Sequence, residues 1–397
     1  MVLGLMTIEL LLPLLSLLVF IYTGKFFNPY GLYFYISILL MLVALSCMYP
    51  AMERVIFYHF ILFCLVQVVC VVAHMIALGP AGGAFEGLRT ISSFYTYWYL
   101  GYVCYFVFYR TGKMDVLLRW IVNVGLFIAV VNIIHFYFNT VLGNYRGVRD
   151  YLSIMNKDLL EYLDTVEVNG FLRHAGYFLD THSQFYIPGT AFLILLTGKI
   201  KVKFRNLEIT IILISVAISG IKTAYLIILV MWFVVLIRQN VKAAFGFALA
   251  LFLCSVAAVV FLTDEVANLF VVMFTHDMDI LIEHITHNPL VLMDKYTLVF
   301  FIGGNPNLVQ DLYSEVYLIT TLYFIGIVGL LFYISPLFVF WVNRKEKYYL
   351  GSILFLYFLL SLGHYPVYKV GVNNLAAALP LVYFFAALTD FKSGSNS

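Results

Sequence analysis

Residues 199–238 read KIKVKFRNLEITIILISVAISGIKTAYLIILVMWFVVLIR, and their pattern decides the fold class. Four bases, Lys199, Lys201, Lys203 and Arg205, open the stretch, and the mostly apolar run 206–238 follows. As one helix at about 1.5 Å per residue, that run would overshoot a ~30 Å hydrocarbon core by about 20 Å. A break at Ser219-Gly220 turns it into two short spans, 206–220 and 221–238.

The same pattern fills the chain. Hydrophobic residues make up 63% of the 397 and charged residues 11%, against ~25% charged in soluble domains. A chain so poor in charge must turn its apolar surface towards lipid. Apolar runs at 5–22, 30–49, 55–78, 91–109, 120–142, 185–198, 206–220, 221–238, 244–262, 316–341, 348–363 and 374–389 predict about 12 transmembrane helices. The expected fold is therefore an all-α integral membrane protein, one polytopic domain over residues 1–397. The first run lacks a charged leader and a cleavage site, and is read as a retained span. Cys47, Cys64, Cys70, Cys104 and Cys254 all lie in apolar runs with no CxxC. They read as small core hydrophobes.

Lys and Arg orient the chain. The even-numbered loops and the C-terminal tail carry Arg54; Arg110, Lys113 and Arg119; Lys199 to Arg205; Arg238 and Lys242; Arg344, Lys345 and Lys347; and Lys392. Those short segments are expected in the cytoplasm, with both termini. The two long loops, 143–184 and 263–315, then face outward. The second holds eight acids against Lys295 alone. Both are expected to be partly helical. Leu152, Met155, Leu159 and Leu163 recur at helical spacing. Thr263 can cap a helix opened by Asp264 and Glu265, with Val266, Leu269, Phe270 and Met273 on its apolar face. Gly303-Gly304-Asn305-Pro306 breaks the chain before the tenth span. The 30 tyrosines are expected mostly in interfacial belts.

Charged groups near membrane depth are candidates for function. The stretch Phe171–Gln184 holds Arg173, His174, Asp180 and His182 where the first long loop enters the sixth span. Arg173 offers a planar fork to a phosphate or diphosphate; pairing with Asp180 or lipid headgroups explains it equally well. Lys222, in the turn between the two short spans, is a second phosphate contact or a snorkelling lysine. Asp311 and Glu315 precede the tenth span, where a carboxylate against apolar surface serves as a general base or simply as a helix-start acid. Arg89, Arg146, Arg149, His287 and His364 are weaker outward-facing candidates. Asp277 and Asp279 resemble a DxD metal motif, a match expected by chance in an acidic loop. Gly79–Gly87 follows no strand and is no nucleotide loop, and there is no Walker, GxSxG or HExxH string. No metal site, cofactor or nucleic-acid partner is expected.

In order along the chain, several features resemble the superfamily of O-antigen polymerases (Wzy) and O-antigen ligases. These are the outer loop ending in Arg173-x-x-Gly176, the basic loop, the Ser219-x-x-Lys222 turn and the large outer loop. A span opening at Ser314-Glu315 and running to Gly326-Ile-Val-Gly329 completes the set. The resemblance covers roughly 165–345; the first five spans match in hydropathy only. It implies a polytopic glycosyltransferase of the C type at the periplasmic face of a bacterial inner membrane, acting in surface-polysaccharide and lipopolysaccharide biosynthesis. Its substrate would be a polyprenyl (undecaprenyl) diphosphate-linked oligosaccharide; its partners, membrane lipid and a protein that regulates chain length. Arg173 matches the family's loop arginine, whereas Lys222 stands where the family usually has arginine. Ser314-Glu315 fills a slot that holds histidine in ligases, which leans towards a polymerase. On that reading Arg173, with Lys222, Arg89 and Arg146, holds the donor diphosphate, and Glu315 or a histidine (His174, His287 or His364) is the base. A ligase, or a flippase for the same lipid-linked glycans, remains as an alternative.

Overall fold

The computed structural model describes residues 3–4, 7, 11, 52–78, 95–137, 185–218, 222–261, 282, 287–304, 317–363 and 371–394. Among them all regular structure is helical. Among the described residues, three helices are long and apolar enough to cross a membrane, over Arg54–Ala73, Met114–Ile134 and Leu318–Val342. The elements are α1 (Arg54–Leu78), α2 (residues 95–104, closed by a π-helical turn, Tyr105–Tyr109), α3 (Met114–Phe136), α4 (Tyr186–Thr197), α5 (Arg205–Ile218) and α6 (Lys222–Gln239). Then come α7 (Val241–Phe261), α8 (Asn288–Lys295), α9 (Thr297–Ile302), α10 (Tyr317–Val342), α11 (Tyr349–Ser361) and α12 (Gly371–Gly394).

The run 206–238 is indeed two helices, α5 and α6, on either side of residues 219–221. Some boundaries differ from the sequence reading. α3 starts at Met114, so Arg119 lies on the helix; Asp115 in the first turn suits the positive end of the helix dipole. α12 continues past the expected span to Gly394. α10 is interrupted at Gly326, whose φ of 64° and ψ of 179° are not helical. The expected helices at 150–163 and 263–274 lie outside the described residues.

α4 is the axis of the bundle. Every residue from Tyr186 to Leu196 is buried, because α3, α5, α6, α11 and α12 all pack against it. Gly198, at φ 68°, ends the helix in the left-handed conformation, and its N–H returns to the Leu195 carbonyl. The molecular surface is apolar: Tyr58, Val68 and Ile76 of α1, Phe245 and Leu253 of α7, and Phe338 and Trp341 of α10 are all exposed. Helices that bury one apolar face and expose another need a hydrocarbon solvent.

A subset of the tyrosines lies in the protein interior. Tyr95, Tyr97, Tyr102, Tyr186, Tyr333 and Tyr357 are among the fully buried side chains. The interior supplies partners for many of the ring hydroxyls and amides. Trp98 Nε1 donates to the Tyr97 hydroxyl at 2.8 Å, the Tyr99 hydroxyl to Gln67 Oε1 at 2.9 Å, and the Tyr357 hydroxyl to the Phe185 and Tyr186 carbonyls at 3.4 and 3.3 Å. Cys70 and Cys104 are buried and Cys64 half-buried, all as free thiols.

Side-chain ties gather the basic segments at one end of the bundle. Arg238, closing α6, pairs with Glu346 and lies 3.9 Å over the Tyr349 ring at the start of α11. Lys345 and Lys347 pair with Asp390 near the end of α12. Arg205 and Gln239 both donate to the Leu196 carbonyl, at 3.1 and 3.0 Å, and Arg110 meets Glu53 at 3.6 Å.

Candidate functional site

Those ties make α6 antiparallel to α11, so Lys222 opens α6 at the end of the bundle away from the bases. Three further contacts assemble the same end. Tyr186, opening α4, stacks on Tyr357 of α11 at 5.1 Å between ring centres and 3° between planes. The Leu318 N–H, at the start of α10, donates to the Leu362 carbonyl just after α11, at 3.1 Å. The Tyr225 hydroxyl on α6 donates to the Ala217 carbonyl on α5, tying the start of α6 to the end of α5.

The described chain ends of this region include Phe185, Lys222, Tyr317 and Gly363. Each borders a segment singled out from the sequence. Phe185 follows the stretch that carries Arg173, His174 and His182; Tyr317 follows Asp311 and Glu315; Gly363 precedes His364. Arg173, His174, His182, Asp311, Glu315 and His364 themselves lie outside the described residues, as do Arg89, Arg146, Arg149, Asp277 and Asp279. Of Lys222 the backbone is described, as the first residue of α6. His287 is exposed and immediately precedes α8.

Under this end lies a layer of buried polar groups: Thr190 on α4, Thr320 and Thr321 on α10, Ser361 on α11 and Asn374 on α12. The Thr190 hydroxyl is used up on the Tyr186 carbonyl, at 2.9 Å. Among the described residues, no three His, Cys, Asp or Glu side chains converge as metal ligands would.

Two features escaped the sequence reading. One is the interruption of α10 at Gly326, against which the end of α9 is packed; a glycine inside the tenth apolar run, with Gly303-Gly304 before it, was the available signal. The other is His59, whose Nδ1 lies 2.6 Å from the Tyr102 hydroxyl within rings of Trp98, Phe332, Phe384 and Phe385. It lies towards the basic end, and its tyrosine partner and aromatic cage describe a satisfied core histidine. Compared with family models, curated proteins and solved structures, the chain matches none.

Proposed function

We propose that this chain is a surface-polysaccharide polymerase. It would transfer a growing glycan from one polyprenyl diphosphate to the sugar of another lipid-linked repeat unit, across about twelve spans of a bacterial inner membrane and at the periplasmic face. Breaking the anomeric carbon–oxygen bond leaves a diphosphate, whose developing charge needs fixed cations. The acceptor hydroxyl that forms the new bond gives up a proton, which needs a base. Arg173 and Lys222 are assigned to the diphosphate and Glu315 to the proton.

The observation that carries this reading is that Phe185 meets Tyr357 and Leu318 meets Leu362 at the end of the bundle opposite the bases, the end at which α6 also opens. The segments with candidate chemistry thus border one face, as a surface enzyme requires. The break in α10 favours a second reading, a transporter of lipid-linked glycans, since transporters use discontinuous helices. The chain shows no half-repeat in support of it.

Membranes containing the protein and given only lipid-linked repeat units should produce longer lipid-linked chains; unchanged repeat units would overturn the polymerase. Arg173→Ala should abolish elongation while leaving membrane insertion intact. Arg173→Lys should recover only part of the activity, because an ammonium cannot grip two oxygens as a guanidinium fork does. Wild-type elongation by Arg173→Ala would remove Arg173 from the site.

A further inference from the structure

We propose that α8 and α9, within what reads as an outward aqueous loop, form a helical segment that dips into the bilayer at the end of α9, and whose free face is covered by lipid hydrocarbon. This rests on α1 and α10 being spans and is independent of the glycosyltransferase reading.

Depth is the first argument. The end of α9 meets α10 at the middle of that helix. Gly303 and Gly326 approach so closely that a Cβ on Gly303 would fall 2.3 Å from the Phe324 carbonyl oxygen, and one on Gly326 would fall 2.4 Å from the Gly303 nitrogen. Gly326 lies nine residues beyond Tyr317, about 13 Å along a helix axis. α1 gives an independent ruler. Its Cys70 thiol reaches the Ile325 carbonyl at 3.5 Å, and Cys70 lies eight residues before the end of α1, again about 12 Å. Measured from the ends of α1 and α10, both put Gly303 about 12–13 Å inside the helical layer.

The backbone chemistry agrees. Irregular backbone at membrane depth is tolerated only where protein seals its polar groups. The kink at Gly326 frees carbonyls on the preceding turn. The Gly304 N–H takes the Tyr323 carbonyl at 3.2 Å and the Cys70 thiol takes that of Ile325. Positive φ at Gly303 (76°), Gly304 (112°) and Gly326 (64°) explains why all three are glycine.

The free face supplies the occupant. Leu292 is fully buried with Leu322 and Tyr323 of α10, while Leu290, Leu298 and Phe301 are 60%, 62% and 50% exposed. The charges, Asp294 and Lys295, are both exposed and sit together at the turn between α8 and α9; a lysine there reaches the headgroups by snorkelling. An aqueous loop would have the reverse pattern, with polar side chains outward.

The test is a set of single cysteines in a chain whose five native cysteines are alanine, labelled in vesicles with a charged maleimide. Val68→Cys and Phe338→Cys mark lipid-facing positions on α1 and α10, and Asp294→Cys marks the turn. Leu290→Cys and Phe301→Cys should label at least roughly tenfold more slowly than Asp294→Cys, as the two lipid markers do, because thiolate and reagent are both excluded from hydrocarbon. Adding Gly326→Ala should displace α9 and speed labelling at Phe301→Cys. Equal rates at Phe301→Cys and Asp294→Cys in the parent would overturn the proposal; fast labelling at Val68→Cys and Phe338→Cys would instead overturn the spans. Should the cysteine-free chain fail to insert, Phe301→Trp in mid-chain brominated lipid gives the same answer. Extra quenching over wild type supports the proposal, and none refutes it.

Discussion

Tyr357 illustrates how single side chains hold the interior. Its hydroxyl serves two carbonyls at the start of α4 while its ring covers Tyr186. The close approach depends on Gly189, where a Cβ would fall 2.0 Å from the hydroxyl oxygen and 2.6 Å from the ring carbon that bears it. Gly189→Ala should therefore cost about 1–3 kcal/mol, as overpacked cores do. Tyr357→Phe alone should cost about 1 kcal/mol through the lost hydrogen bonds. The double variant should be more stable than the sum of the two losses, because the nearest colliding atom has gone. Thermal unfolding in detergent checks all three, and strict additivity would show that the two residues do not meet. None of this was legible beforehand: Gly189 and Tyr357 are far apart in sequence, and nothing in either run names the other. Arg173, by contrast, was nominated from the sequence alone, as a charged group near membrane depth, and it lies outside the described residues.

Helices were the most legible level. The pairing of bases with apolar runs placed α5 and α6 within a residue or two, since hydrocarbon thickness sets helix length and charge sets where helices stop. The break in α10 was not legible in the same way; an interior glycine costs a helix only about 1 kcal/mol, so its presence does not show whether the helix yields. That depends on Gly303 arriving from α9. Between elements, the α11–α12 contact at the basic end carries a pH signature. Burial alone would raise the Asp390 carboxyl, but hydrogen bonds from Lys347 and Tyr348, the Lys347 charge and a hydrogen bond from Lys345 outweigh it and hold the group below the usual carboxylate value. A folded-state pKa held down stabilises the fold above the unfolded value and loses that contribution as pH falls through the folded one. The unfolding midpoint should thus drop between pH 6 and pH 3 by more in wild type than in Asp390→Asn. The difference is small, since these partly exposed pairs are worth about 0.2–1 kcal/mol. Equal drops would remove Asp390 from the ledger.

For the molecule as a whole, the end that gathers Arg238, Lys345, Lys347 and Arg110 should be cytoplasmic. A fluorescent protein fused after Ser397 should mature and fluoresce, and Lys201→Cys should be labelled only once the membrane is permeabilised. Labelling of Lys201→Cys in intact cells would invert the topology and move the proposed site to the wrong face for periplasmic chemistry.

The sequence by itself determined that the protein is a set of apolar helices separated by basic turns, because burying a backbone in lipid leaves few alternatives to a helix and charge cannot be hidden cheaply. It also nominated the residues with chemistry to offer. Only the tertiary structure decided that α4 is the axis, that a subset of the tyrosines packs in the interior, that one end of the bundle unites the chain ends next to those residues, and that Gly303 enters the kink at Gly326. These depend on contacts between distant parts of the chain, and such contacts follow from shape and leave no periodic mark in the sequence.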